Sequence, residues 1–178
     1  ILDQHSDSYR KIRNTFRYLL GNLNDKFDDI DLESLDLASL PELEKFILNR
    51  VYSLNEKFIK YFKNYDFHNL YKELLSFCTV DLSAFYFDIR KDTLYCDPIN
   101  SDKRKSCVTV LNILLKSLLR WFAPILSFTT EEIYQLISKN SKSIHLEKFL
   151  KFPEKFKNDK LAEKWSQLMK IRDVCNIS

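Results

Sequence analysis

Glycine is almost absent from this chain, since its 178 residues contain only Gly21. Two-residue hairpin turns usually need glycine or asparagine at positive φ, so the chain has almost no room for the hairpins of a β fold. A single glycine also excludes Walker loops, the GxGxxG fingerprint and the nucleophile elbow. The sequence therefore predicts an all-α protein, a helical bundle of about five to seven helices.

Composition points to a globular protein with neither a membrane span nor a metal site. Apolar residues make up 45% and charged residues 30% of the chain, and no run of about 18 apolar residues exists. The start of the chain has no signal-peptide character and no initiator methionine, so we expect a cytoplasmic segment of a longer protein. The four cysteines and three histidines share no metal-ligand spacing, which predicts no metal site.

Apolar residues recur at helical spacing through most of the chain. The pattern indicates N-caps at Asp66 and Asp81, a T-x-x-E capping box at Thr129 and Glu132, and an extended stretch near residues 143–149. Residues 1–140 are predicted to form the bundle, and residues 141–178 a connecting segment with a final helix. The predicted helices cover about residues 6–24, 41–63, 66–78, 81–89, 103–122, 129–137 and 159 onward.

The helix predicted over residues 103–122 is apolar nearly all round. A helix with apolar residues on every face is usually buried on every face. We therefore expect this helix to be the central element of the bundle, with Leu111, Leu115 and Leu118 deeply buried.

The first predicted helix has one apolar stripe, and the opposite face is basic. Tyr18 lies beside Asn14 at the edge of that basic face. Cations beside an aromatic ring suit single-stranded nucleic acid, because the cations neutralise phosphates and the ring stacks on a base. An ordinary solvated face is the alternative reading. The stripe consists of Ile12, Phe16, Leu19, Leu20 and Leu23, and the opposite face carries Arg10, Arg13, Asn14 and Arg17.

No catalytic arrangement stands out in the sequence. His68 lies two residues after the predicted cap Asp66 and has no nucleophile near it in the sequence. Cys78 lies on an apolar stripe, as a small core residue does. From its residues alone the chain does not resemble an enzyme.

Three segments nevertheless resemble the anticodon-binding domain of bacterial isoleucyl-tRNA synthetases, a family of class I aminoacyl-tRNA synthetases. The likeness covers essentially the whole chain in the right order, although the first segment alone also fits the class I synthetases for valine and methionine. The segments are SYRKIRNTFRYLLGNLND (residues 8–25), YDFHNLYKELLSFCTVDLSAFYFDIRKDTLY (65–95) and RWFAPILSFTTEEIY (120–134).

The resemblance implies a parent enzyme that joins isoleucine to its tRNA through an aminoacyl-adenylate, using ATP with Mg. The HIGH- and KMSKS-type catalytic signatures of that family are absent from these residues. The resemblance therefore implies that this segment needs no cofactor, has no catalytic residues, and is inactive alone. Its implied partners are the isoleucine tRNA and the catalytic domain of the same polypeptide. The resemblance implies no binding to a membrane.

The resemblance also suggests which residues bind the tRNA. In the N-x-x-R-aromatic pattern of related synthetases the aromatic position falls on Tyr18, with Asn14 and Arg17 matching the Asn and Arg. The flanking cations Arg10, Lys11, Arg13 and Arg17 would then hold anticodon-stem phosphates.

Two questions stay open at this point. Arg90 and Lys91 are further candidates for tRNA contact, at the end of the second resembling segment. A helical protein-interaction scaffold that reuses a synthetase-like module is the alternative function. Binding to one tRNA that weakens steeply with salt favours the first function, whereas little RNA affinity favours the scaffold.

Overall fold

A computed structural model of the protein describes residues 2–23, 27, 29–138 and 142–177. Within those residues the secondary structure is helical, with no strand, which confirms the all-α prediction. The predicted end of the first helix at residue 24 and the predicted domain boundary at residue 140 lie outside the described residues. The α-helices are α1 (Leu2–Leu23), α2 (Glu42–Lys63), α3 (Phe67–Ser76), α4 (Asp88–Cys96), α5 (Asp102–Phe122), α6 (Ser127–Ile137) and α7 (Asp159–Ile177).

The central position predicted for α5 is confirmed. Leu111, Leu115 and Leu118 have no exposed surface, and α1, α2, α4 and α6 all pack against this helix. The indole of Trp121 near its end is also buried and donates a hydrogen bond from Nε1 to Oδ1 of Asn55 at 3.1 Å. Helix α5 is therefore the element around which the others are arranged.

A π-helical segment, Phe77–Phe87, joins α3 to α4 without a break. The predicted N-cap at Asp81 is wrong, because this residue lies inside the segment. Asp81 faces the Arg50 guanidinium at 3.6 Å, and burial raises the pKa of its carboxyl. The i→i+5 hydrogen bonds of a π-helix put more residues into each turn than an α-helix has. The faces downstream are rotated as a result, so Ile89, seven residues after the buried Leu82, is 42% exposed.

Of the N-caps predicted for α3 and α6, the structure has the first and not the second. The cap at Asp66 is confirmed, because its carboxylate accepts a hydrogen bond from the backbone N–H of Asn69 at 3.2 Å. The capping box at Thr129 and Glu132 is wrong, since α6 begins two residues earlier, at Ser127. The Thr129 hydroxyl lies instead 3.0 Å from that of Tyr9 on α1, a tertiary hydrogen bond that replaces a local cap.

Residues 142–177 pack on the bundle. The stretch predicted to be extended contains a short 3₁₀ helix, Ile144–Leu146, and Ile144 is buried in the core. Arg120 of α5 holds this segment by donating from Nε to the carbonyl of Lys148 at 2.8 Å and from Nη2 to Glu147 at 2.7 Å. On α7, the ring of Trp165 stacks on Phe46 of α2 with centroids 5.1 Å apart.

Candidate RNA interface on helix α1

Helix α1 has the two faces that its sequence predicts. Its apolar stripe packs against α5 and the π-helical segment, because each of these side chains recurs at helical spacing on one side of the helix. The cations on the opposite side all reach solvent. Buried on α1 are Ile12, Phe16, Leu19 and Leu23, and exposed are Arg10, Lys11, Arg13, Asn14 and Arg17.

Most of the exposed cations of α1 have no internal counterion. Arg10 pairs with Asp7 at 3.5 Å, and both side chains are largely exposed, so water and salt weaken this pair. In the part of the chain that the structure describes, no acidic side chain pairs with Lys11, Arg13 or Arg17. A phosphate can therefore approach these three cations without displacing an internal ion pair.

The expectation that Tyr18 presents its ring to water needs correction. The side chain is partly buried, and its ring stacks on that of Phe87 with centroids 4.2 Å apart and an angle of 18° between the planes. Its hydroxyl donates a long hydrogen bond of 3.5 Å to the carbonyl of Phe87. The pKa of the Tyr18 hydroxyl is raised, mainly because the group is partly buried and to a smaller extent because Tyr95 lies nearby.

The packing of Tyr18 limits which face of its ring is available to a ligand. Phe87 covers one face of the ring, so a base can stack only on the opposite face. Sequence reasoning did not single out Phe87, because it is the last residue of the π-helical segment and its direction depends on that helix type. Stacking of Tyr18 on a base stays a prediction, as do the proposed roles of Asn14 and of the cations.

The two further candidates, Arg90 and Lys91, have different surroundings. Arg90 is buried and forms a bidentate ion pair with Glu44, from Nε to Oε1 at 2.6 Å and from Nη2 to Oε2 at 2.5 Å. Tyr86 also donates to this carboxylate, at 3.3 Å. Arg90 therefore holds α4 to α2 and does not reach a surface ligand. Lys91 is exposed and pairs with Asp88 at 2.9 Å.

Comparison with known proteins gives the family. Residues 44–177, which include the π-helical segment and everything after it, match a family model described as the anticodon-binding domain of tRNA ligase. The chain belongs to this family. The recognition made from the three segments is therefore confirmed, and the match covers three-quarters of the chain, beginning after α1.

Similar proteins extend the likeness to α1. The chain is 72% identical to an isoleucine–tRNA ligase of Pelagibacter ubique over 178 residues, which are 100% of this chain and 20% of that relative. It is 41% identical to an isoleucine–tRNA ligase of Bartonella henselae over 174 residues, 98% of this chain and 18% of that relative. The isoleucine–tRNA ligase of Desulforudis audaxviator is 39% identical over 175 residues, which are 97% of this chain and 19% of that relative. The chain thus spans about a fifth of the length of the curated relatives it matches.

Proposed function

We propose that this anticodon-binding domain recognises the anticodon stem-loop of the isoleucine tRNA as part of an isoleucine–tRNA ligase. The family match over residues 44–177 carries the proposal, and the relatives named above supply the amino acid. The attachment of isoleucine, with ATP and Mg, belongs to the catalytic domain of the same polypeptide, and the compartment is the cytoplasm. Within the described part of the chain, no helix is long and apolar enough to cross a membrane.

The exposed face of α1 supports this proposal by its chemistry. Cations without an internal counterion contribute affinity for any RNA backbone, because each one releases counterions from phosphate. Sequence is read instead through base edges and stacking. The exposed amide of Asn14 can both donate and accept hydrogen bonds, and the Tyr18 ring supplies a stacking face. Binding strength and base selection therefore come from different side chains of one helix.

Removal of Arg13 or Arg17 is expected to reduce the salt dependence of tRNA binding. If each guanidinium neutralises one phosphate, Arg13→Ala and Arg17→Ala each flatten the slope of log affinity against log salt by about one unit. The measurement is tRNA affinity over a series of salt concentrations.

Lys60→Ala is the matched control, because Lys60 is an exposed cation in the last turn of α2. It should leave the slope unchanged. Equal slopes for wild type, Arg13→Ala and Arg17→Ala would show that these residues touch no phosphate. Little RNA affinity in the wild type at low salt would favour the scaffold alternative.

Tyr18→Ala is expected to weaken both tRNA binding and the fold. Loss of base stacking costs about 1–3 kcal/mol of affinity. Loss of the stacked Tyr18–Phe87 pair costs about 0.5–1.5 kcal/mol of folding free energy, in addition to the lost burial of the ring. Tyr18→Phe should change either quantity little, because the ring is kept and the lost hydrogen bond is long. Affinity is measured well below the melting temperature of the variant, alongside urea denaturation. Full affinity in folded Tyr18→Ala would rule out base stacking on this ring.

A further inference from the structure

A groove between α1 and α6 lies at the other edge of the basic face from Tyr18. Its volume is about 680 Å³. One wall carries Arg13 and Arg17 of α1, and the other carries Glu132 of α6. The rest of the lining is mostly apolar, with Thr129 as a further polar side chain; Ile133 is buried, while Leu136 on the rim is 71% exposed.

We propose that this groove holds an unpaired nucleotide of the bound RNA. The inference rests on the proposed function and adds to it a binding site for one nucleotide. Arg13 and Arg17 are one helical turn apart on the same wall. Each guanidinium can therefore contact one of the two phosphates that flank a single nucleotide. The apolar lining suits the faces of a base.

The carboxylate of Glu132 makes the groove selective in what it accepts. It repels phosphate, so the backbone of the RNA must lie on the α1 side. It accepts hydrogen bonds from the amino or imino groups of a base edge, as acidic residues do with the amino group of cytosine. Phe128, one turn earlier on the same side of α6, is 93% exposed and offers a further ring for stacking.

Gly21 is the second observation that points to a ligand. It lines the same wall one turn beyond Arg17, and a Cβ built on it would meet nothing within 4 Å. Its φ is not positive, so neither the backbone conformation nor the packing of the chain requires glycine there. Glycine inside a helix is unfavourable compared with alanine. Close approach of an external molecule to the backbone explains why the one glycine of the chain is at this position.

The test fills the groove without a change of charge. In Gly21→Leu the added side chain enters the space that the nucleotide would occupy, and its Cβ meets no described atom of the fold within 4 Å. Ser166→Leu on the exposed surface of α7 is the matched control. The probes are an anticodon stem-loop RNA with 2-aminopurine at one loop position at a time, and a duplex RNA without unpaired nucleotides.

Gly21→Leu is expected to bind the stem-loop at least about tenfold more weakly, because stacking of one base is lost. It should bind the duplex as wild type does. At one loop position the fluorescence change seen with wild type should disappear. Glu132→Gln, which changes no volume, should alter the affinity order of stem-loops that differ only at that position, and Ser166→Leu should change nothing.

The outcomes separate this inference from the proposed function. If wild type binds the stem-loop and both Gly21→Leu and Glu132→Gln bind it equally well, with the same fluorescence and the same order of bases, the groove holds no nucleotide. The proposed function then stands and this inference is overturned. If wild type binds neither RNA, the proposed function fails and the groove inference fails with it.

Discussion

Arg90→Ala is expected to lower the free energy of unfolding by about 3–5 kcal/mol, the usual cost of breaking a buried ion pair. The carboxylate of Glu44 has no exposed surface, and both of its oxygens accept from Arg90. Without the guanidinium, the hydrogen bond from Tyr86 is the one that the carboxylate keeps among the described residues. A buried charge left in this state is costly because water cannot reach it. Urea denaturation of wild type and variant measures the loss.

Replacing both Arg90 and Glu44 by apolar residues removes the ion pair without leaving an unpaired charge. Comparison with Arg90→Ala then separates the loss of the ion pair from the cost of a buried, unpaired carboxylate. The variant Glu44→Leu with Arg90→Met should recover most of the stability that Arg90→Ala loses, since well-packed apolar groups often replace a buried pair at little cost. Tyr86→Phe in the same background removes a buried hydroxyl that has lost its carboxylate acceptor and keeps only its 3.6 Å contact with Sγ of Cys107 among the described residues. A loss below about 1 kcal/mol in Arg90→Ala would mean that Glu44 is solvated or neutral, contrary to its burial.

Leu115→Ala is expected to cost about 2–5 kcal/mol of folding free energy, as for other fully buried leucines. The side chain has no exposed surface and lies on α5, against which four other helices pack. Removal of its methyl groups leaves a cavity that these helices can close only in part. The cost therefore includes lost burial and an unfilled space, both of which urea denaturation records.

Lys105→Ala on the same helix is the control. Its side chain is 60% exposed, and its contact with Asp102 is weak at 3.8 Å, so we expect a change within about 0.5 kcal/mol. If Leu115→Ala also changed stability this little, α5 would not be the centre of the bundle.

Neither stability change acts directly through the proposed RNA interface of α1, but the ion pair lies close to it. Arg90 follows Phe87 by one turn of the same continuous helix, and Phe87 supports the ring of Tyr18. Loss of the Arg90–Glu44 pair loosens the element that carries this support. In folded Arg90→Ala we therefore expect weaker tRNA binding with an unchanged salt slope, because no phosphate contact is removed.

Local patterns in the sequence predicted the elements whose faces repeat regularly. The stripe of α1, the largely apolar α5 and the cap at Asp66 depend on neighbours within one or two helical turns, and all three are present as expected. The basic face of α1 follows from the same periodicity, since a cation opposite a buried stripe must point to solvent. The near absence of glycine predicted the helical class because it removes the turns that sheets need.

The surroundings of individual polar and aromatic side chains were decided by tertiary structure. The π-helical turn rotates Ile89 outward and brings Phe87 to Tyr18, and no local pattern indicates the i→i+5 bonds that produce it. Arg90, which resembles a surface cation in the sequence, meets Glu44 from a helix 46 residues earlier.

Partners distant in the chain explain the remaining differences. Thr129 bonds to Tyr9, 120 residues away, in place of capping its own helix. Gly21, read from the sequence only as evidence against a β fold, lines a groove because α6 packs beside α1. Periodicity reports which way a side chain points from its own helix. The group that it meets there is set by the packing of helices far apart in the sequence, and this packing determines whether a cation or a ring is free to bind RNA.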